Sequence, residues 1–218
     1  MAGRKRIGLM GGTFNPVHIG HLMLAEWARD ALGLDEVWFI PTGTPYMKQS
    51  SEGLASASAL SALDRFRMTE LAIKDNPSFR CLDLEVMRKG LTYSYETLEQ
   101  LKSSFPEASF FFIMGADCLF TLEDWKNPER IFQCCTIAAA VRGDTDLTQL
   151  EQKKAALEQR FQGGIILLPF ISMAVSSTAI RQRVMKGKSI RYLTPDSVID
   201  YIKEKGFYCE KSSESEKA

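Results

Sequence analysis

Histidine is almost missing from this 218-residue chain: there are two, His18 and His21. A zinc centre needs three or four ligands, and no third histidine or cysteine lies at a usual spacing from this pair, which counts against a metal site there. The five cysteines, Cys81, Cys118, Cys134, Cys135 and Cys209, are odd in number and scattered, mostly inside apolar runs. That pattern speaks against a disulfide framework and for reduced thiols. Nowhere do about 18 apolar residues run together, so no membrane-spanning helix is expected. Arg4, Lys5 and Arg6 are followed by glycines rather than by the apolar core of a signal peptide. A cytoplasmic protein with no membrane partner is the expectation. Net charge is lacking too: Lys plus Arg and Asp plus Glu are both 27. Without a global positive field, nucleic acid is demoted as a partner. There is no internal repeat, and the length suits one sizeable core.

What is present concentrates between Ile7 and His21. Ile7, Leu9 and Met10 form a short apolar run closed by Gly11 and Gly12, and from Leu22 the apolar spacing turns helical through Ala25, Ala28 and Leu32. The period changes from strand to helix at the glycines. Two glycines let backbone approach a ligand closely, and the helix start beyond them offers free N–H groups to an anion. His18 and His21 stand three apart at that start, where i and i+3 share a face. Three readings stay open for them: hydrogen-bond donors to a phosphoryl group gaining charge, structural residues, or a metal pair.

Further along, Val37 to Ile40 predicts a buried strand closed by Pro41, and Thr42 to Ala59 a long loop without period. Leu60 to Lys74 predicts a helix, Phe79 to Val86 a strand, and Glu96 to Leu101 part of a helix ending at Phe105-Pro106. Phe110 to Met114 is the strongest central-strand signal, and it runs into Gly115-Ala116-Asp117, where open α/β sheets place ligand groups. Thr136 to Val141 and Ile165 to Leu168 predict strands around a helix carrying Leu147, Leu150, Leu157 and Phe161. Ser176-Ser177-Thr178 caps a helix over Ala179 to Lys186, and Thr194 caps a last helix with Pro195 in its first turn. Strand and helix alternate throughout, which predicts a doubly wound, mostly parallel α/β sheet. The expected organisation is a single domain over 1–210, with a small helical part over about 176–210 and a disordered tail at 211–218.

The run Gly-Gly-Thr-Phe-Asn-Pro-Val-His-Ile-Gly-His resembles the signature of the nucleotidylyltransferases with a His-x-Gly-His motif, and more specifically that of bacterial nicotinate-nucleotide adenylyltransferases. Asn15 departs from the family's usual aspartate but keeps a turn-forming side chain. Ser-Ser-Thr-Ala-Ile-Arg at 176–181 resembles the family's second signature, and the resemblance extends from these motifs to Tyr208. Pro41, Pro45 and Lys48 match the spacing of a proline-rich segment ending in lysine, although Tyr46 and Met47 stand where a typical member has Pro and His.

The resemblance implies a Rossmann-like enzyme that transfers the adenylyl group of ATP to nicotinate mononucleotide, giving deamido-NAD and pyrophosphate, with Mg2+ accompanying ATP. It implies catalytic roles for His18, His21, Lys48 and Arg181, and phosphate contacts from Gly11, Gly12, Thr13, Phe14, Ser177 and Thr178. Gly115 and Asp117 would serve the ribose. Thr92, Tyr93 and Trp125 would meet the pyridine, with a cationic ring over the indole. Arg65, Met68 and Leu71 resemble a further helix motif of these enzymes. Taken alone, Lys48 is also a solvated lysine, Ser177 a cap, Trp125 a core residue and Asp117 a helix cap. Another phosphate acceptor, such as nicotinamide mononucleotide or phosphopantetheine, and a non-catalytic nucleotide sensor are the competing functions. Homo-oligomerisation is compatible with the sequence.

Overall fold

Strand β1 (Arg6–Gly12) lies mid-sheet because neither of its faces is polar: Ile7 and Leu9 join one apolar core and Met10 the other. The same alternation runs through its neighbours β2 (Glu36–Pro41) and β6 (Ser109–Gly115), where Trp38, Ile40, Phe110, Phe112 and Met114 face one side while Val37, Phe39, Phe111 and Ile113 face the other. A strand apolar on both faces must be covered on both, which is the condition for helices above and below a parallel sheet. The structure is a computed structural model that describes residues 3–45, 60–143, 146–171 and 173–209.

Between β1 and β2 runs α1 (Ile19–Leu32); β3 (Thr44–Pro45), α2 (Ala62–Ile73), β4 (Phe79–Cys81), β5 (Leu91–Thr92) and α3 (Ser94–Ser104) then lead to β6. Two short 3-10 turns, Ala116–Phe120 and Leu122–Asp124, precede α4 (Pro128–Cys134), β7 (Thr136–Val141), α5 (Leu147–Phe161), β8 (Ile165–Pro169), α6 (Ser177–Met185) and α7 (Asp196–Lys205). The main sheet has six strands in the order β4-β2-β1-β6-β7-β8, and every pairing is parallel. Helices α3, α4 and α5 supply Leu98, Leu101, Ile131, Phe132, Leu150 and Leu157 to one core. Helices α1, α2, α6 and α7 supply Ala25, Ala28, Met68, Ile180, Val198 and Ile202 to the other. The order in which strands are added reverses between β1 and β6, outward through β2 and β4 on one side and through β7 and β8 on the other, and such a switch opens a crevice at the strands' carboxyl ends.

Three expectations are corrected. The strand predicted over Phe79 to Val86 stops at Cys81, because only Phe79 to Cys81 pair with Val37 to Phe39. After one more ladder bond, from Leu82 N–H to Phe39 O at 2.9 Å, the chain turns and drives Glu85 inward. The patternless stretch from Thr42 holds a strand at its start: Thr44 and Pro45 pair in parallel with Leu91 and Thr92 as a separate two-stranded sheet. Thr194 does not cap α7. Its hydroxyl donates to Val17 O at 2.8 Å, and the N-cap is Pro195, which has no side-chain bond to give. Among the described residues no helix is long and apolar enough to cross a membrane. The five cysteines are free thiols, with Cys135 buried and Cys209 exposed. Lys48, Tyr46, Met47 and the 211–218 tail lie outside the described residues.

Candidate active site

The first motif folds as a tight hook. Phe14 sits in the left-handed region at φ 49°, unusual for a bulky residue, and its ring is buried against Phe39 and edge-on to His21 at 5.0 Å. Gly12 makes this possible: a Cβ there would stand 2.9 Å from the Phe14 ring. His18 is the N-cap of α1 with extended backbone, and its N–H donates to His21 Nδ1 at 3.1 Å. That bond fixes the tautomer. With Nδ1 accepting, a neutral His21 carries its proton on Nε2 and presents an N–H donor. The two imidazoles stack at 3.6 Å between ring centres, with a 26° tilt. Burial lowers the pKa of His18 from 6.5 to about 4, and burial together with the His18 charge lowers that of His21 from 6.5 to about 3. Both rings are therefore neutral near pH 7, and Nδ1 of His18 is buried with no hydrogen-bond partner among the described residues. Stacked rings with one nitrogen already engaged do not converge on a metal ion. Among the described residues no three His, Cys, Asp or Glu gather as a metal cage.

The second signature braces the first. Ser176 caps α6 by accepting from Ala179 N–H at 3.2 Å. The Ser177 hydroxyl donates to Pro16 O at 2.8 Å, and Arg181 donates to Asn15 O at 2.8 Å and to Thr178 Oγ1 at 3.1 Å. Ile19 N–H donates to Leu193 O at 2.9 Å, and Tyr208 Oη donates to Asn15 Oδ1 at 2.6 Å. Every residue from Asn15 to Ile19 except His18 is thus held by the C-terminal helical part. The starts of α1 and α6 share one corner of the molecule, and Asn15 fits because its side-chain oxygen accepts the tyrosine hydroxyl. Ser177 is therefore not the cap, which is Ser176, and its hydroxyl proton is committed to Pro16 rather than free for a ligand.

Beside this corner opens a cavity of about 240 Å³, between the β1 end at Gly11, Gly12 and Thr13 and the first turn of α3. Trp125, Phe112 and Leu98 give it apolar walls, while Thr92 and Glu85 give it a polar end. Trp125 is half-buried, edge-on to Phe112 at 6.3 Å, with Nε1 buried and unpaired among the described residues. It packs on the core and lines the cavity at once. Tyr93 is the N-cap of α3 and makes no side-chain cap bond, and Ser94, the first residue of the helix, lies on the cavity wall. Tyr93 itself packs 5.8 Å from Tyr95 rather than lining the cavity. Asp117 is exposed in the 3-10 turn after β6, whose N-cap is Gly115, so Asp117 is not the cap. Gly115 lets the Asp117 carboxylate fold back over the backbone: a Cβ there would stand 2.3 Å from Asp117 Oδ1, so an added side chain would displace that carboxylate.

Two buried charges beside the cavity were not assigned a site by the sequence. Glu85 is 6% exposed and Arg65 5%. Glu85 occupied the polar phase of an expected strand, where nothing separates it from a solvated carboxylate. Arg65 carried only a motif likeness.

Residues 9–183 match the model of the cytidylyltransferase-like family. The chain is similar to the probable nicotinate-nucleotide adenylyltransferase of Lachnoclostridium phytofermentans, 44% identical over 204 residues, which cover 94% of this chain and 99% of that protein. A second relative, the probable nicotinate-nucleotide adenylyltransferase of Dehalococcoides mccartyi, is 41% identical, with 94% and 98% covered. Among solved structures, the fold is similar to Plasmodium falciparum nicotinic acid mononucleotide adenylyltransferase complexed with NaAD, at a TM-score of 0.71 and 22% identity over 94% of this chain and 97% of that one.

Proposed function

This chain belongs to the nicotinate-nucleotide adenylyltransferases of the cytidylyltransferase-like family, and from that premise and the site's geometry we infer how it joins ATP to nicotinate mononucleotide to give deamido-NAD and pyrophosphate. The observation that carries the reading is the junction of two unlike places: a corner where two helix starts and two neutral histidines meet, and an apolar cavity walled by Trp125. The first suits a polyphosphate and the second a flat ring. A phosphate oxygen of the mononucleotide attacks the α-phosphorus of ATP, and pyrophosphate leaves. His21, through Nε2–H, and His18 donate hydrogen bonds to phosphate oxygens as charge builds, so no residue acts as a nucleophile. Gly11, Gly12 and Thr13 let the backbone approach the nucleotide, Thr178 and Arg181 face the phosphates from α6, and Lys48 adds a cation. Asp117, after Gly115, takes a ribose hydroxyl.

The pyridinium lies on the Trp125 indole, and its carboxylate meets the N–H groups at the start of α3 beside Thr92. Magnesium belongs to this reading as a companion of the ATP phosphates, since among the described residues no carboxylate cage for it is formed, and no step is routed through an ion. The reading takes 1–210 as one cytoplasmic domain whose helical end braces the histidine hook. The test is ATP-dependent pyrophosphate release with nicotinate mononucleotide against nicotinamide mononucleotide. Preference for the acid supports it, preference for the amide overturns the acceptor, and binding without turnover favours a nucleotide sensor.

A further inference from the structure

The two buried charges act on one piece of backbone. From α2, Arg65 Nη1 donates to Thr13 O at 2.7 Å, and Nη2 donates to Thr42 O at 2.5 Å and Gly43 O at 3.1 Å. From the opposite side, the Glu85 carboxylate accepts from Thr97 Oγ1 at 2.9 Å and is also bonded by the Gly43 N–H, while the neighbouring Thr92 hydroxyl donates to Thr44 O at 3.3 Å and so ties β5 to β3. Arg88 Nη1 donates to Thr97 Oγ1 at 3.0 Å, completing a chain of donors that ends on Glu85. Burial pushes the Glu85 carboxyl above its ordinary range, and the polar groups of Thr97, Thr92 and Gly43 beside it, with the Arg88 charge, pull it back. Neither charge forms an ion pair with the other. Each is spent on backbone between β2 and β3, where Gly43 lies so close to Glu85 that a Cβ would sit 2.2 Å from Glu85 O.

Glu85, Thr92, Thr97 and Thr42 all line the cavity assigned to the pyridine. We propose that Glu85 is a positioning residue for the acceptor: it fixes the β3–β5 pair, and with it Thr92, at the distance from Trp125 that a pyridine ring needs. Arg65 holds the backbone at Thr42 and Gly43 just before β3 but also holds Thr13, so it serves both substrates. A carboxylate suits this task because it accepts several hydrogen bonds at once, and charge-assisted bonds hold geometry more tightly than neutral ones. The inference rests on the adenylyl-transfer reading above, and wild-type turnover with nicotinate mononucleotide tests that reading separately.

The experiment is steady-state kinetics of full-length wild type, Glu85→Gln, Glu85→Ala, Thr97→Val and Arg65→Lys, varying each substrate in turn. For Glu85→Gln the KM for nicotinate mononucleotide is expected to rise about tenfold with the KM for ATP within twofold. Thr97→Val, which removes the hydroxyl but keeps the shape, gives the same split at smaller size. Glu85→Ala exceeds Glu85→Gln, because glutamine still offers the Gly43 N–H an acceptor. Arg65→Lys raises both KM values. Should Glu85→Ala not fold, the glutamine and valine variants decide the matter. Unchanged KM values with a lower kcat, or KM values for ATP and acceptor rising together in Glu85→Gln, would mean that Glu85 only stabilises the fold and would overturn the proposal.

Discussion

His21→Asn separates the ionisation of the hook from its shape. Asparagine places Oδ1 near where His21 Nδ1 now accepts from His18 N–H, so the cap bond survives while the titrating ring and its Nε2–H are lost. In the native protein burial and the His18 charge lower the His21 pKa from 6.5 to about 3. The unfolded chain therefore takes up a proton first as pH falls. Stability is fully present above pH 6.5 and is lost progressively as pH drops toward about 3. One pKa unit corresponds to about 1.4 kcal/mol, so at pH 5 this residue costs the wild type about 2 kcal/mol relative to neutral pH. Urea denaturation at pH 7 and pH 5 measures it: wild type should lose about 2 kcal/mol more than His21→Asn, because other groups cancel in the difference. The same variant should lose about 100-fold or more in kcat, as expected when a positioned donor to a developing charge is removed. Parallel stability curves for the two proteins would show that His21 is not held neutral, and full activity would remove it from the mechanism.

The remaining predictions concern rate, ring and brace. With both imidazoles buried and neutral, the wild-type kcat should show no ionisation near 6.5 between pH 8 and pH 5; a step near 6.5 in the pH–rate profile would mean that a catalytic histidine titrates freely. Trp125→Ala should raise the KM for nicotinate mononucleotide by about 10-fold, equivalent to about 1 to 2 kcal/mol of lost ring contact, and leave that for ATP nearly unchanged, as read by pyrophosphate release. Ser177→Ala breaks the 2.8 Å bond to Pro16 O and should cost about 1 kcal/mol in thermal or urea unfolding, with kcat falling as the hook loosens. Gly12→Ala drives a Cβ to 2.9 Å from the Phe14 ring and should lower kcat more than stability, since the displaced ring packs on His21.

The parallel sheet was legible because its central strands are apolar on both faces, a pattern that few other arrangements tolerate. The hook was legible because four glycines, one proline and both histidines crowd into fifteen residues. Illegible were the tertiary partners of single polar atoms. Thr194 looked like a cap by position, yet its hydroxyl reaches Val17 across 177 residues of sequence, and Ser177 reaches Pro16 across 161. Glu85 shows the limit most clearly: a glutamate among alternating residues reads as solvent-facing, and only the turn after Cys81, set by the end of the β2–β4 ladder, sends it inward. The β3–β5 pair was hidden for a related reason, since two residues on each side are too few to display a period.

The central claim is that the corner formed by the α1 and α6 starts holds the phosphates while the neighbouring cavity holds the pyridine. A crystal structure of the protein with deamido-NAD tests it directly. The account predicts the pyridine ring stacked on Trp125, its carboxylate at the start of α3, and the bridging phosphates within hydrogen-bond distance of His21 Nε2. A product whose ring lies away from Trp125, or whose phosphates sit apart from the histidines, would contradict it.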